Sequence, residues 1–148
     1  IRGTLDTDIH LADAAEVAAL IDMEAQVSGT RKPAYMQAWF RQTANRKTVV
    51  AGAADSGRGF CTVRKCRAGA KIGPLIADDV DTADRLMRHA ASLFPGEVSI
   101  DVPETSIPLA TLCARFGLTP GFRSARMYRG LCEVPHTDLY AVTSLELG

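Results

Sequence analysis

The stretch of sequence that decides the fold is KIGPLIADDVDTADRLMRHAASLF, residues 71–94. Its first part, KIGPLIA, is a short apolar run of the kind found in buried strands. The second part places Leu86, Ala90 and Leu93 along one stripe, which predicts an amphipathic helix with Asp81 as its N-cap. Many α/β proteins hold a phosphate where a strand runs into a helix in this way. Here the turn ADDVD carries three aspartates and no glycine.

Upstream of this stretch, the pattern predicts two helices followed by two strands. The helices are DAAEVAALIDMEAQV, with Asp13 as N-cap and a stop at Ser28-Gly29, and AYMQAWFRQ, in which Trp39 is interpreted as a core anchor rather than a ligand platform. The strands are KTVVAGAA and GFCTVRKC, which the turn-rich DSGRG joins as a hairpin.

Downstream, VSIDVP is predicted as a strand, SIPLATLCARFG as a helix that ends at Gly117, and FRSARMYRG and LYAVTSLEL as two final strands. A strand–helix–strand unit within an otherwise antiparallel set predicts an α/β (α+β) fold with a mixed, twisted sheet flanked by helices. KIGPLIA and VSIDVP should then be neighbouring parallel strands joined by a right-handed helical crossover.

Size and charge limit the classes of protein to which the chain can belong. Its 148 residues are 47% hydrophobic and carry 17 basic and 17 acidic side chains, which predicts a single domain over residues 1–148 without broad attraction to nucleic acid or anionic membranes. No apolar run approaches the roughly 20 residues of a membrane span, and no signal segment opens the chain, so we expect a cytoplasmic protein. A start at Ile1 rather than methionine suggests a piece of a longer protein.

The cysteines and histidines do not form a metal-binding pattern. The four cysteines match no paired CxxC framework and are interpreted as buried free thiols. The three histidines are scattered along the chain, so no metal site is predicted.

The order of elements resembles that of the GNAT family of N-acetyltransferases. The motifs IGPLIADD with ADRLM, then IDVP, LCARFGLTPGFRSARMYRG and VTSLELG are similar to the second half of tandem-GNAT proteins, and DMEAQVSGTRKPAYM extends the similarity over nearly the whole chain. The resemblance implies a GNAT-like acyl-CoA N-acyltransferase fold, in which two splayed parallel strands grip acetyl-CoA. It also implies acetyl transfer to a small-molecule amine, with an upstream GNAT domain or a second copy of the chain as possible partners.

By this resemblance, the coenzyme-binding positions are Gly73, Leu75, Ile76 and Ala77 on the splayed strand and Ser106 at the family's asparagine. If the two strands diverge, the N–H groups near Gly73 and Leu75 are donors that could polarise a thioester carbonyl. GNAT domains usually cradle the pyrophosphate in a glycine-rich turn, whereas the aspartates of ADDVD would repel it. We therefore expect weak or absent binding of acetyl-CoA.

Three residues are weak candidates for the chemical step. Cys113 stands where many GNAT enzymes have the tyrosine that protonates the leaving thiolate, although a buried structural cysteine is the alternative. Asp101 could act as a base for the amine or hydrogen-bond the turn VPETS, and Tyr128 could close an acceptor pocket or be an ordinary sheet tyrosine. Arg31 could pair with Asp22 or face an acidic substrate.

The sequence is therefore compatible with three functions. The first is an acetyl-CoA-dependent N-acetyltransferase. The second is a non-catalytic GNAT-like domain that supports a catalytic partner domain, lines its acceptor site or dimerises. The third is a small-molecule-binding domain that uses the cleft between the strands for another ligand.

Overall fold

The computed structural model of the chain describes residues 1–52, 57–125, 127, 129–131 and 135–145. In chain order, its elements are β1 (Ile9–Leu11), α1 (Val17–Ser28), α2 (Pro33–Phe40), β2 (Arg46–Ala51), β3 (Gly59–Lys65), β4 (Ala70–Ala77), α3 (Val80–Leu93), β5 (Val98–Ile100), α4 (Ile107–Arg115) and β6 (Leu139–Ala141). The predicted mixed α/β fold is confirmed, with β4, α3 and β5 forming the predicted strand–helix–strand unit.

Within the described residues, the strands form one sheet in the order β1-β2-β3-β4-β5, and β6 also pairs with β4. Neighbours are antiparallel as far as β4, and β4 and β5 are parallel, as predicted. The parallel ladder is short, because it runs only from the pair Ala70–Val98 to the pair Ile72–Ile100.

A bulge interrupts β4 immediately after this parallel ladder. Between the pairs Cys61–Leu75 and Val63–Ile72, one residue of β3 lies opposite two residues of β4, Gly73–Pro74. An extra residue of this kind bends a strand and increases its local twist. The bulge therefore lies at the point where β4 begins to part from β5.

Apolar side chains on the two faces of the sheet form two cores. The helices α3 and α4 cover one face, with Leu86, Met87 and Leu109 fully buried. The helices α1 and α2 cover the other face, where Phe40 and Phe60 pack edge to face with ring centroids 5.1 Å apart. The strands β2 and β3 present alternate residues to the two cores, as the period of a strand requires.

Two predicted helix starts lie a few residues from the observed ones. α1 begins at Val17, and Asp13 instead accepts hydrogen bonds from Ala15 and Glu16 N–H in the turn before the helix. The N-cap of α3 is Asp79 rather than Asp81, since Asp79 Oδ1 accepts a hydrogen bond from Thr82 N–H at 2.7 Å. Asp81 lies in the first turn of the helix.

The ends of α1 and α4 agree with the sequence-based prediction, whereas the last part of the sheet differs from it. Gly29 and Gly117 have positive φ at the ends of α1 and α4, as expected of C-terminal glycines. The predicted strand FRSARMYRG is wrong for its described residues, none of which lies in a strand, and its other residues lie outside the described ranges. Of the predicted strand LYAVTSLEL, the described residues 139–145 contain the three-residue strand β6. The sequence does not predict the short strand β1.

Candidate functional site

The wedge that opens between β4 and β5 is filled by residues 138–144, here called the inserted segment. Its first part contains β6, which pairs antiparallel with the second half of β4 and places Ala141 opposite Leu75. Ala77 N–H donates to the Asp138 carbonyl at 3.2 Å. The second half of β4 therefore has a strand on each side.

The inserted segment also contacts β5 and the bulge. Val142 N–H donates to the Asp101 carbonyl, just beyond β5, at 3.4 Å. A Cβ atom added to Gly73 would lie 2.4 Å from the Val142 carbonyl oxygen, which is too close for any side chain. The segment thus bridges both sides of the wedge, and it fits only because residue 73 is a glycine.

The inserted segment covers the residues of β4 that are predicted to contact the coenzyme. Gly73, Leu75, Ile76 and Ala77 are all buried. The open donors expected near Gly73 and Leu75 are covered in this structure, because the inserted segment occupies the space in front of them. An extended ligand can reach this part of β4 only if it displaces the segment.

The aspartates in the turn between β4 and α3 are paired with other groups of the chain. Arg58, on the connection between β2 and β3, pairs with Asp78 at 3.2 Å and with Asp79. Hydrogen bonds from Thr82 lower the pKa of Asp79, which keeps the capping carboxylate ionised. The first turn of α3, where a phosphate would be bound, therefore holds a carboxylate from the chain itself.

Arg85, the next cation along this surface, is engaged as well. It pairs with Asp6 at 2.6 Å and with Asp8 at 3.0 Å, and hydrogen bonds from Arg85 lower the pKa of Asp6 to about 2. Arg58 and Arg85 line one open cavity together with His10. An anion that entered this cavity would compete with carboxylates already in place.

Asp101 is engaged in an ion pair. Its carboxylate lies 2.6 Å from Lys71 Nζ, with about a sixth of the aspartate side chain exposed. Within the described residues, this carboxylate makes no hydrogen bond to the turn VPETS, and its role as a base for an amine remains a prediction. Arg31 pairs with Asp22 at 2.9 Å on the exposed surface, which is the structural alternative predicted for it.

Trp39 lies next to the bulge of β4. Its Nε1–H donates to the Gly73 carbonyl at 3.2 Å, and its ring stacks on Tyr35 with centroids 5.5 Å apart. The side chain is half-buried and packs against the edge of the core beneath α1 and α2. The predicted core anchor therefore also forms part of the surface beside the wedge.

Comparison with known proteins identifies the family. A family model described as the acetyltransferase (GNAT) domain matches residues 20–141. The chain belongs to the GNAT family. The holothin acyltransferase of Pseudoalteromonas sp. (strain SANK 73390) is 27% identical over 134 residues, which cover 87% of this chain and 45% of that protein. The chain thus spans about half the length of the curated relative that it matches.

Two further predicted site residues of this GNAT chain, Ser106 and Cys113, belong to α4 and its N-cap. Ser106 is the N-cap residue of α4, and its buried hydroxyl makes no hydrogen bond to the described residues. Cys113 is buried in α4, and burial raises the pKa of its thiol. Tyr128 lies outside the described residues, so its predicted role remains a prediction.

Metal ligands and membrane-spanning helices are both missing from the described part of the GNAT chain. Across residues 1–52, 57–125, 127, 129–131 and 135–145, no group of three or more His, Cys, Asp or Glu side chains could hold a metal ion. In the same ranges, no helix has the length and apolar character needed to cross a membrane.

The raised pKa of Cys113 predicts slow alkylation in the native state, because the thiolate is the reactive form. Iodoacetamide at neutral pH should modify half-buried Cys66 well before buried Cys113, as measured by peptide mass spectrometry over time. Cys66→Ser should remove the Cys66 adduct and leave the Cys113 time course unchanged. Rapid labelling of Cys113 would contradict its burial and restore a role as proton donor.

Proposed function

We propose that this GNAT domain is the non-catalytic, supporting domain of a longer acyltransferase. In this proposal, the longer protein transfers an acetyl group from acetyl-CoA to a small-molecule amine. The observation that carries the proposal is the inserted segment, which covers the strand that GNAT domains use to hold the coenzyme. The holothin acyltransferase is more than twice as long as the region that matches this chain. This length supports the presence of a second domain in the proposed acyltransferase.

The charge at the turn supports the same conclusion. At an effective dielectric of about 20, two unit charges about 4 Å apart interact by on the order of 4 kcal/mol, and a helix N-terminus contributes only about 0.3–1 kcal/mol. Arg58 offsets part of the repulsion from Asp78 and Asp79. The N–H group of Thr82 nevertheless remains occupied by Asp79, so a pyrophosphate gains little by approaching.

The supporting role needs a surface for the partner domain, and two features offer one. The outer edge of β5 is not paired with another strand among the described residues, and such edges accept strands from other chains. Three large apolar side chains that follow α4 are exposed, with relative exposures of 79% for Phe122, 89% for Met127 and 106% for Leu131. We propose that these side chains contact an upstream GNAT domain or a second copy of the chain.

A second candidate function is catalysis by this chain itself, after the inserted segment has moved. The observation that favours it is a set of buried hydroxyls, those of Ser106, Thr143 and Ser144, that make no hydrogen bond to the described residues. Unsatisfied buried groups cost about 1–3 kcal/mol each, which would weaken the hold of the segment. In that case Gly73, Leu75, Ile76, Ala77 and Ser106 would contact acetyl-CoA, as the family resemblance implies.

The compartment belongs to the proposal as well. We propose that the protein works in the cytoplasm. The free thiols of Cys61, Cys66 and Cys113 support a reducing compartment.

Titration of acetyl-CoA and CoA into the purified chain separates the two candidates. For a supporting domain, we expect no saturable heat at micromolar coenzyme, because both the strand and the helix N-terminus are occupied. Hydrogen exchange at Ala77 and Val142 N–H, recorded with and without the coenzyme, shows whether the inserted segment moves. Saturable binding together with faster exchange at these two amides would overturn the supporting role in favour of catalysis by this chain.

A further inference from the structure

Arg46, Arg64 and Lys71 form a row of three cations across neighbouring strands, close to Trp39. The β2–β3 register places Arg46 directly opposite Arg64, and the β3–β4 register places Arg64 directly opposite Lys71. Residues that lie directly opposite each other share one face of a sheet, and like charges in such pairs are destabilising. The fold therefore keeps a row of cations that costs it stability.

The Trp39 ring holds the two guanidinium groups of this row. Arg46 Cζ lies 5.0 Å and Arg64 Cζ lies 5.8 Å from the ring centroid, within the range of cation–π contacts. The ring is itself fixed by its stack on Tyr35 and by its hydrogen bond to the Gly73 carbonyl. The two arginine side chains are therefore positioned before any ligand arrives.

The charges of the two arginines are not neutralised by the described part of the chain. Lys71 pairs with Asp101, but neither Arg46 nor Arg64 forms an ion pair with a described carboxylate. Arg46 Nη2 donates to the Ala38 carbonyl at 2.5 Å, whereas its buried Nε has no hydrogen-bond partner among the described residues. The chain as a whole has equal numbers of acidic and basic side chains, so the imbalance is local.

We propose that Arg46 and Arg64 form a binding site for the carboxylate or phosphate group of a small-molecule ligand. Guanidinium groups bind such anions through paired N–H donors, and an anion between them would also remove their mutual repulsion. Arg46 donates through Nη2 to the Ala38 carbonyl, and Arg64 donates through Nη1 to Cys66 Sγ at 3.3 Å. Nε and Nη2 of Arg64 make no hydrogen bond to the described residues, so these two groups are the donors that we assign to the anion. The assignment stands on these contacts and does not rest on the proposed acyl transfer.

The chain contains a reporter for this site, since Trp39 is its single tryptophan. Inorganic phosphate and succinate are titrated separately at constant ionic strength while the emission of Trp39 is recorded. We expect at least one of the two anions to produce a saturable change, which chloride at the same ionic strength does not produce. The anion that saturates identifies the ligand group as a phosphate or a carboxylate.

Arg64→Gln should weaken the binding by about tenfold or more, the equivalent of one lost charge-assisted interaction. Lys65→Gln is the matched control, because Lys65 carries the same charge and is the next residue in β3 but faces the other side of the sheet. It should change the affinity by less than about twofold. If Arg64→Gln does not fold, Arg64→Lys keeps the charge, loses the planar donor pair and should still bind more weakly.

Two results would overturn the site. One is the absence of saturation with both phosphate and succinate. The other is equal weakening by Arg64→Gln and Lys65→Gln, which would mean that the anions respond only to net charge.

Discussion

Replacing Phe60 with alanine is expected to lower the free energy of unfolding by about 3–5 kcal/mol. The Phe60 side chain is fully buried in β3 and meets the edge of Phe40 on α2, with ring centroids 5.1 Å apart. Alanine would leave a cavity between the sheet and the helices α1 and α2, which the surrounding side chains fill only in part. Urea unfolding followed by circular dichroism measures the loss.

Phe122→Ala provides the matched control, because Phe122 is 79% exposed and packs against no core. It should change the free energy of unfolding by no more than about 0.5 kcal/mol. If Phe60→Ala and Phe122→Ala cost the same, then α2 does not pack on the sheet as described. The position of Trp39 beside the bulge, and with it the proposed anion site, would fail for the same reason.

The β4–α3–β5 unit was predictable because its signals are local. The apolar run KIGPLIA and the helical stripe of Leu86, Ala90 and Leu93 each fix one element without help from the rest of the chain. The parallel pairing of β4 and β5 then follows, because a helix between two neighbouring strands is the usual crossover that joins parallel strands. The same local logic predicted the glycine ends of α1 and α4.

The N-cap of α3 illustrates where local signals lose their power. Asp78, Asp79 and Asp81 lie within four residues and carry the same capping group, so the sequence alone does not select one of them. The structure selects Asp79 because its carboxylate reaches Thr82 N–H. It also brings in Arg58 from 20 residues upstream of Asp78, a contact that no local pattern contains.

The state of the candidate site depends on pairings between distant residues. LYAVTSLEL reads as a strand, but nothing within it specifies that it pairs with β4 in the wedge, where β6 lies. Gly73 is the one sequence feature that permits the insertion, but a glycine within a strand can equally mark a bulge or a tight bend. In the sequence, Arg46 and Arg64 are likewise typical of solvated charges at strand ends. Only the register of the β2–β3 hairpin places them opposite each other.

Replacing Gly73 with alanine is expected to loosen the inserted segment. The added Cβ would lie 2.4 Å from the Val142 carbonyl oxygen, so the backbone of the segment must move away from β4. Forcing extra volume into a packed site costs about 1–3 kcal/mol of unfolding free energy. The amides of Ala77 and Val142, which bond to Asp138 and Asp101 across the wedge, should exchange hydrogen faster than in the unaltered chain.

Gly121→Ala is the control for this change, because a Cβ atom at Gly121 would meet nothing within 4 Å. It should leave exchange at Ala77 and Val142 unchanged, and it should keep or slightly raise stability by restricting the unfolded chain. Hydrogen exchange measured by mass spectrometry on peptides that cover β4 and residues 138–145 distinguishes the two variants. Equal exchange in both would mean that the segment does not occupy the wedge, and the predicted coenzyme contacts on β4 would then be open to a ligand.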